Sequence, residues 1–403
     1  MEPDLNLRHF FALDDIAATG RLRTAAARLF MSQSALTQAL NKLETIAGAH
    51  LFERAGFGVT ATDAGHVLIG RARRAIALLQ AAERDIRAQK RSALRFAPLH
   101  RHITASQLRA LIAIADTRGY SAAARKLGLA QPTVHRAAKD LEAIVGVTLF
   151  ARAARGIEST ETARELARIA ELVFVEVRQG LESVRELRGL TTGRIAIGAL
   201  PLVRSEFLPV AVDRLLQRFP DAKVQIQDGP YPELLHALRY GHIDWLVGAL
   251  RDPTPSGDVL QERLFDQPLA IVVRPGHPLL AGGNPTPDAL AELEWIAPRP
   301  RAPARLVFDA YFDTHGVATP TRTIECGSLV TTRHLLRASD RAAMLSPLQI
   351  RDDIADGTLS VLLESIPNSH REIGITTRAD FEPTQVQSAF ASIVRELARQ
   401  SVA

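Results

Sequence analysis

Three segments of residues 7–47 carry apolar residues at helical spacing. The first has Phe10, Leu13 and Ile16 on one face, which predicts a helix with a single buried stripe. The second is rich in alanine, and the third begins after Ser32, a residue type that caps helix N-termini. Two helices joined by so short a break form a helix-turn-helix, whose second helix faces outward.

The same pattern occurs a second time in the chain. Residues 23–54 and 121–152 align without a gap at a constant offset of 98 positions. In the second copy Pro132 takes the first turn of the third helix, where its missing N–H costs nothing. The identical pairs are Ala25/Ala123, Ala26/Ala124, Leu29/Leu127, Gln33/Gln131, Leu43/Leu141, Glu44/Glu142, Gly48/Gly146, Leu51/Leu149, Phe52/Phe150 and Arg54/Arg152. So long a register predicts a duplicated domain.

A short wing and then a long helix follow each helix-turn-helix. In residues 63–90 and 161–188, apolar residues recur every seven positions. Heptad spacing predicts a seam against another helix, although an amphipathic helix packed on its own domain gives a similar stripe. Each helix extends beyond what its small domain covers, so we favour the paired arrangement. We expect this seam, which includes Leu79 and Val177, to hold a homodimer or homotetramer together in part.

After Gly193 the pattern changes to strands that alternate with helices. Apolar strands are predicted at 194–198, 223–227 and 245–248, with amphipathic helices between them. A second lobe is expected near 269–344, after which the chain returns to the first lobe. This alternation is typical of an α/β domain with mainly parallel strands.

The charge of the chain is unevenly distributed. Residues 1–190 carry 28 Lys and Arg against 19 Asp and Glu, whereas the remainder carries 21 against 25. A basic half joined to a mildly acidic half indicates that a polyanion-binding module is fused to a module of another kind. A generally arginine-rich composition is the simpler alternative, which the uneven distribution weakens.

Several functional classes lack their motifs in this sequence. It contains no Gly-x-Ser-x-Gly, Walker A, His-Glu-x-x-His or Gly-x-Gly-x-x-Gly motif, so we do not expect an enzyme. The single cysteine, Cys326, excludes an intrachain disulfide and makes a metal cluster unexpected. The acidic start at Met1-Glu2-Pro3-Asp4 and the lack of a long apolar stretch predict no secretory signal, no membrane span and a cytoplasmic location.

Both copies of the repeat share one pattern of residues, which in the first copy is Ala25-Ala26, Gln33, Leu43-Glu44 and Leu51-Phe52-x-Arg54. This pattern resembles the winged-helix DNA-binding domain of the LysR-type transcriptional regulators. The resemblance covers essentially the whole chain. It implies two tandem winged helix-turn-helix domains followed by a two-lobed α/β domain similar to periplasmic binding proteins. The implied partners are double-stranded DNA, a small-molecule effector and RNA polymerase, with no cofactor. The family normally carries one winged-helix domain per chain, and this sequence departs from it by carrying two.

The expected domain limits follow from this organisation. They are 1–62 for the first winged helix-turn-helix, 63–103 for a linker helix and basic linker, 104–160 for the second winged helix-turn-helix, 161–190 for the second linker helix, and 193–403 for the effector-binding domain, with lobe 1 at about 193–268 and 345–403 and lobe 2 at about 269–344.

Residues at the start of each third helix and at the base of each wing are the candidates for DNA contact. A glutamine can bond adenine and an arginine guanine through two hydrogen bonds each, whereas serine and threonine commit to neither base. The wing arginines suit phosphates or a narrow minor groove, or alternatively a salt bridge that closes the wing. The candidates are Gln33, Ser34, Thr37, Gln38 and Arg54 in the first copy, and Gln131, Thr133, His135, Arg136, Arg152 and Arg155 in the second. The two sets differ, so we expect different sequence preferences. Ser34 stands where the family usually has Pro, and His135 where it usually has Ser.

Candidates for effector contact follow the strands of the C-terminal half. Ligands in such folds lie at the carboxyl ends of strands and at helix N-termini. This rule selects Leu200, Pro201, Leu202, Val203, Gly229, Pro230, Tyr231, Cys326, Gly327 and Ser328. For Ser328 alone, the simple role of a helix cap is the favoured alternative. The segments 232–235, 241–244, 248–251 and 275–279 are similar to regulators of sugar-binding-protein genes, which suggests a sugar-like or aromatic acid effector. The alternative is an architectural DNA-binding protein that senses no ligand.

Overall fold

The computed structural model describes residues 5–56, 58–90, 98–153, 156–190, 192–254, 256–300 and 302–402. The first copy of the repeat forms a winged-helix domain and a linker helix. Its elements are α1 (Leu7–Thr19), α2 (Leu22–Arg28), α3 (Gln33–Ala47), β1 (Phe52–Ala55), β2 (Gly58–Ala61) and α4 (Asp63–Lys90). A short helix, α5 (Leu99–His102), precedes the second copy.

The second copy repeats these elements at the offset of 98 positions. Its elements are α6 (Ala105–Thr117), α7 (Tyr120–Leu127), α8 (Gln131–Val145), β3 (Phe150–Ala153), β4 (Gly156–Ser159) and α9 (Glu161–Leu187). Ser32 caps α3 by accepting a hydrogen bond from the Ala35 amide, as the sequence predicts. Ala130 occupies the equivalent place in α8 without a side-chain cap, and Pro132 lies in the first turn. The duplication is therefore a structural one.

The two linker helices, α4 and α9, pack against each other within the same chain. Leu68 contacts Gly180 and Arg74 pairs with Glu176, so numbers rise along one helix and fall along the other, and the pair is antiparallel. Leu79 and Val177 are buried in the one continuous core that includes both winged-helix domains. The paired-helix interpretation is confirmed, but the partner is the chain's own second copy. The heptad positions are therefore already covered, and they do not form the expected seam between copies.

The C-terminal half contains two lobes, each built on a five-stranded sheet. The strands are β5 (Arg194–Ala199), β6 (Lys223–Asp228), β7 (Trp245–Ala249), β8 (Val259–Gln267), β9 (Ala270–Val273), β10 (Trp295–Ala297), β11 (Thr323–Glu325), β12 (Ala342–Leu345), β13 (Ser360–Leu363) and β14 (Arg371–Arg378). The helices are α10 (Phe207–Arg218), α11 (Tyr231–Arg239), α12 (Pro287–Ala291), α13 (Pro303–Thr314), α14 (Leu329–Ala338), α15 (Arg351–Ala355) and α16 (Gln385–Val402), with 3-10 turns at Pro201–Val203, Pro278–Gly282 and Pro347–Gln349.

The strand order is β6-β5-β7-β14-β8 in lobe 1 and β11-β10-β12-β9-β13 in lobe 2. Four of the five strands in each sheet run in the same direction, as expected for a mainly parallel arrangement. Each sheet is nevertheless mixed, because β14 in lobe 1 and β9 in lobe 2 pair antiparallel with both of their neighbours. These antiparallel strands adjoin the two crossings between the lobes. Lobe 2 also extends past its expected end near residue 344, since β13 pairs with β9.

Candidate DNA-binding and effector sites

The N-terminal end of α3 presents polar side chains to solvent. Gln33, Ser34 and Gln38 are exposed, and Thr37 is half-buried with its hydroxyl donating to the Gln33 carbonyl at 2.9 Å. The Ser34 hydroxyl lies 3.0 Å from that of Ser32. The glutamines therefore offer the amide groups that are free to reach base edges, whereas Thr37 is tied to its own helix.

The equivalent end of α8 has a different chemistry. Gln131, Thr133, His135 and Arg136 are all exposed. The Gln131 side-chain oxygen accepts a hydrogen bond from the Ser121 hydroxyl at 3.0 Å, and the His135 ring packs edge-on against Tyr120 at 4.8 Å between centroids. These contacts orient two of the four candidates, and Arg136 supplies a cation that α3 lacks at the same position.

Each wing presents one arginine to solvent. Arg54 and Arg152 are exposed on β1 and β3, opposite Val59 and Ile157 of the next strand. Neither arginine forms an ion pair with another residue in the described part of the chain, so the salt-bridge alternative receives no support. The predicted contact Arg155 lies outside the described residues.

Two glutamates that the duplication conserves hold the wings in place. Glu44 accepts a hydrogen bond from the Leu51 amide at 2.7 Å, and Glu142 accepts one from the Leu149 amide at 2.8 Å. Burial raises the pKa of Glu142, but hydrogen bonds from Lys139 and from two main-chain amides outweigh it, and the net pKa is lowered. The Leu-Glu element of the repeat is thus a structural link between the outward helix and the wing.

Lobe 1 presents the effector candidates unevenly. Leu200 is 5% exposed and Val203 is fully buried, so both belong to the lobe core and not to a cleft wall. The cause is that the chain turns directly after β5, which points both side chains inward. Pro201 is exposed and Leu202 half-buried, and these two remain available to a ligand. Gly229 and Pro230 lead directly into α11.

Tyr231 belongs to a positively charged cluster that sequence reasoning missed. The Arg251 guanidinium lies 4.3 Å from the centre of the Tyr231 ring, and the buried Tyr231 hydroxyl has no partner among the described residues. Arg251 follows β7 and Arg371 opens β14, and the Arg371 Nε is likewise buried without a partner in the described chain.

The charges of this cluster are not compensated. Burial lowers the pKa of Arg251, and burial together with the nearby Arg251 charge lowers the pKa of Arg371. Arg251 and Arg371 are both partly withdrawn from water, and neither has a carboxylate partner among the described residues. Together they therefore form a site suited to an anion. The available signal in the sequence was an arginine directly after a strand, at the same sheet edge as Tyr231.

The lobe 2 candidates lie together at the start of α14. Ser328 accepts a hydrogen bond from the Thr331 amide at 3.3 Å and is the N-cap of this helix. Gly327 lies beneath the Arg299 side chain, and the half-buried Cys326 thiol contacts the Ser328 main chain at 3.4 Å. Ser328 therefore caps α14, and its contact with an effector stays a prediction, while Arg299 adds a further cation that sequence reasoning did not select.

A buried polar junction connects the linker helices to lobe 1. Arg71 of α4 pairs with Glu176 and donates to Gln179, both on α9, and it also donates to the Glu382 carbonyl of lobe 1 at 3.0 Å. Gln179 in turn donates to the Asp244 carboxylate at 3.3 Å. One arginine of the first copy thus contacts the second copy and the C-terminal half together.

Membrane spans and metal clusters are both absent from the described residues. No helix there combines the length and the apolar character that a membrane span requires. No group of three or more histidine, cysteine or acidic side chains is arranged there to hold a metal ion.

Comparison with known proteins relates the two parts of the chain to one family. The profile described as "Bacterial regulatory helix-turn-helix protein, lysR family" matches residues 7–66 and again residues 105–164. The profile "LysR substrate binding domain" matches residues 188–399. Both copies of the repeat and the C-terminal half are therefore accounted for.

Individual relatives agree with these matches. The transcriptional regulator GalR of Pseudomonas putida is 31% identical over 392 residues, which are 97% of each chain, and PcaQ of Agrobacterium fabrum is 30% identical over 72% of this chain and 94% of its own. A full-length OxyR variant of Pseudomonas aeruginosa has a TM-score of 0.54 at 23% identity, over 73% of this chain and 95% of its own. CbnR complexed with its target DNA has a TM-score of 0.51 at 19% identity, over 73% and 99%. The chain belongs to the LysR family of DNA-binding transcriptional regulators, and its DNA-binding domain is duplicated.

Proposed function

We propose that this regulator responds to a small organic anion bound between its two lobes. The observation that carries the proposal is the cluster of Tyr231, Arg251 and Arg371, with its uncompensated charge and unpartnered buried polar atoms. A carboxylate can accept paired hydrogen bonds from a guanidinium, and an aromatic ring beside it favours a flat ligand. Of the two expected effector types, these features support an acid and in particular an aromatic acid.

The buried junction is the proposed route from effector to DNA. The effector cluster and Asp244 both lie on lobe 1, and Asp244 is bonded through Gln179 to Arg71 and so to both linker helices. A ligand that favours one arrangement of the lobes changes DNA affinity by its differential affinity for the two arrangements, typically about 5- to 150-fold.

Thermal unfolding of the full chain with added compounds tests the effector proposal. An aromatic carboxylate or a sugar acid should raise the melting temperature, whereas a neutral sugar should not, because only an anion neutralises the two arginines. Arg251→Gln and Arg371→Gln should each abolish the shift. Arg204→Gln is the matched control, since Arg204 lies on the same lobe but is already paired with Asp228 at 2.8 Å.

Two outcomes of this experiment would contradict the effector proposal. An equal shift with the neutral sugar, retained in both arginine variants, would place the ligand elsewhere. No shift with any compound, combined with unchanged DNA affinity, would favour the architectural alternative.

We further infer that copies of the chain associate through surfaces other than the linker-helix seam. Leu79 is fully buried and Val177 is 6% exposed within one chain, so neither is free to face a second copy. The expected homodimer or homotetramer therefore requires contacts made elsewhere, and RNA polymerase remains a proposed partner. Light scattering of the intact protein measures the state of assembly.

A further inference from the structure

We propose that one chain is a complete DNA-reading unit, and that its two unlike winged-helix domains select a bipartite duplex site with two different halves. The inference rests on the DNA binding of the family and is independent of the proposed effector.

The crossing of α4 and α9 relates the two copies by an approximate two-fold axis. Leu68 lies against Gly180 and Arg74 against Glu176, so the two helices run antiparallel with matching positions paired. This pairing centres near Ala75 and Val173, both fully buried, which are equivalent positions of the repeat. Pairing through equivalent positions of two antiparallel helices is the arrangement of an isologous dimer, here made by a single chain.

The far end of α9 meets the first winged-helix domain, and the segment that follows α4 meets the second. Arg188, which caps α9, lies against Gly48 at the end of α3. The short helix α5, which follows α4, contacts α8. The two winged-helix domains therefore share one hydrophobic core, and their outward helices are fixed relative to each other.

In a dimer of identical subunits, a two-fold axis of this kind matches a DNA site that is an inverted repeat. Here the axis relates residues of different chemistry. Thr37 and Gln38 correspond to His135 and Arg136, and all four stand on the exposed sides of their helices or close to them. Arginine favours guanine and glutamine favours adenine, so the two halves should differ at the bases that these positions face.

The two winged-helix domains are alike in their wing arginines and unlike at the residue that precedes the outward helix. Arg54 and Arg152 are equivalent and both exposed, and they provide similar backbone contacts on the two halves. Phe30, before α3, is 92% exposed at a position that Gly128 occupies before α8. Both domains should therefore contribute to the affinity for DNA, and each should prefer a different base sequence.

Selection of bound sequences from a randomised duplex library by the full chain tests the inference. The expected site has two unlike halves in a fixed relative orientation. If each DNA-binding unit instead took one winged-helix domain from each of two chains, its equivalent domains would select identical halves. A perfect inverted repeat in the selected pool would therefore overturn the inference while leaving DNA binding by the protein intact. A failure to enrich any sequence would overturn both.

Reciprocal variants make the test sharper. The triple variant Thr133→Ala, His135→Thr and Arg136→Gln gives α8 the residues of α3 at these three positions and leaves Pro132 opposite Ser34. The selected site should become a repeat of the first half at the bases that the three positions face. The reverse variant, with Ala35→Thr, Thr37→His and Gln38→Arg, should produce a repeat of the second half at the same bases. Each symmetrised variant should prefer its new site over the wild-type site by about ten- to a hundredfold, the value of a good bidentate base contact.

All substitutions in these variants lie on exposed or half-buried positions, and an unchanged melting temperature would confirm that each variant is folded. If either folded variant still selected the unlike halves of the wild-type site, the named residues would not read the bases and the inference would be overturned.

Discussion

At the residue scale, Phe30 adopts an unfavourable backbone conformation. Its φ is 54°, in the left-handed region that costs a non-glycine residue roughly 1–2 kcal/mol. Phe30 is 92% exposed, so packing of its ring offsets little of this cost. The equivalent residue of the second copy, Gly128, adopts a φ of 65° at no such cost.

Phe30→Gly should therefore stabilise the protein. After the larger chain entropy of unfolded glycine is subtracted, we expect a gain of about 0.5–1 kcal/mol in the free energy of unfolding. Phe30→Ala is the control, because it removes the ring but keeps the unfavourable φ, and it should give no gain. Denaturant unfolding measures both variants. A loss of stability in Phe30→Gly would show that the ring makes contacts that its exposure does not indicate.

The residue scale is also where sequence reasoning was least complete for the effector site. Tyr231 was found because it follows a strand directly, but Arg251 and Arg371 are 120 positions apart and meet only because β7 and β14 are neighbours in the sheet. That pairing depends on the return of the chain from lobe 2, which local patterns do not encode. Leu200 and Val203 were misplaced for a related reason, since position at a strand end does not determine which way a side chain points.

At the element scale, the heptad pattern predicted that the linker helices pair but not with which partner. Periodicity identifies a buried stripe, and an identical stripe on a second copy of the domain satisfies it as well as one on a second chain. The offset of 98 positions was visible in the sequence, and the structure confirms it at nearly every element boundary.

The pairing of these helices depends on Arg71. This arginine is 4% exposed and bonds to Glu176, Gln179 and the Glu382 carbonyl. Arg71→Met should lower the free energy of unfolding by about 3 kcal/mol, because Gln179 and the Glu382 carbonyl lose their buried donor and Glu176 keeps only its pair with Arg74. Arg73→Met is a matched control two positions away, since Arg73 pairs with Asp14 on the surface, and it should cost less than about 1 kcal/mol. Equal losses in the two variants, measured by denaturant unfolding, would contradict the importance of the buried network.

At the scale of the whole molecule, the contact between α9 and lobe 1 joins the DNA-binding half to the sensing half, and it contains a carboxyl group with an unusual pKa. Burial raises the pKa of Glu182 to about 7, with a further contribution from the charge of Asp244, while Arg178 and Arg194 oppose the rise. These groups surround a polar cavity between the helix and the lobe, which His242 and Gln387 also line. The folded protein therefore holds a proton on Glu182 that the unfolded chain has already released at neutral pH.

This pKa predicts that stability falls as the pH rises. Below about pH 4.5 the group is protonated in both states and contributes nothing, between about 4.5 and 7 the unfolded state is increasingly favoured, and above 7 the cost is constant at up to about 3 kcal/mol. Glu182→Gln removes the titration, so its stability should exceed that of the wild type at pH 8 and approach it near pH 4.5. Glu165→Gln removes an exposed carboxylate on the same helix, and its partner Arg168 keeps the nearby Asp258, so stability should change by less than about 1 kcal/mol at either pH. Denaturant unfolding at the two pH values measures these stabilities. A gain in the free energy of unfolding of Glu182→Gln that is the same at both pH values would contradict the prediction. It would mean that burial of the neutral side chain, and not its ionisation, sets the stability of this junction.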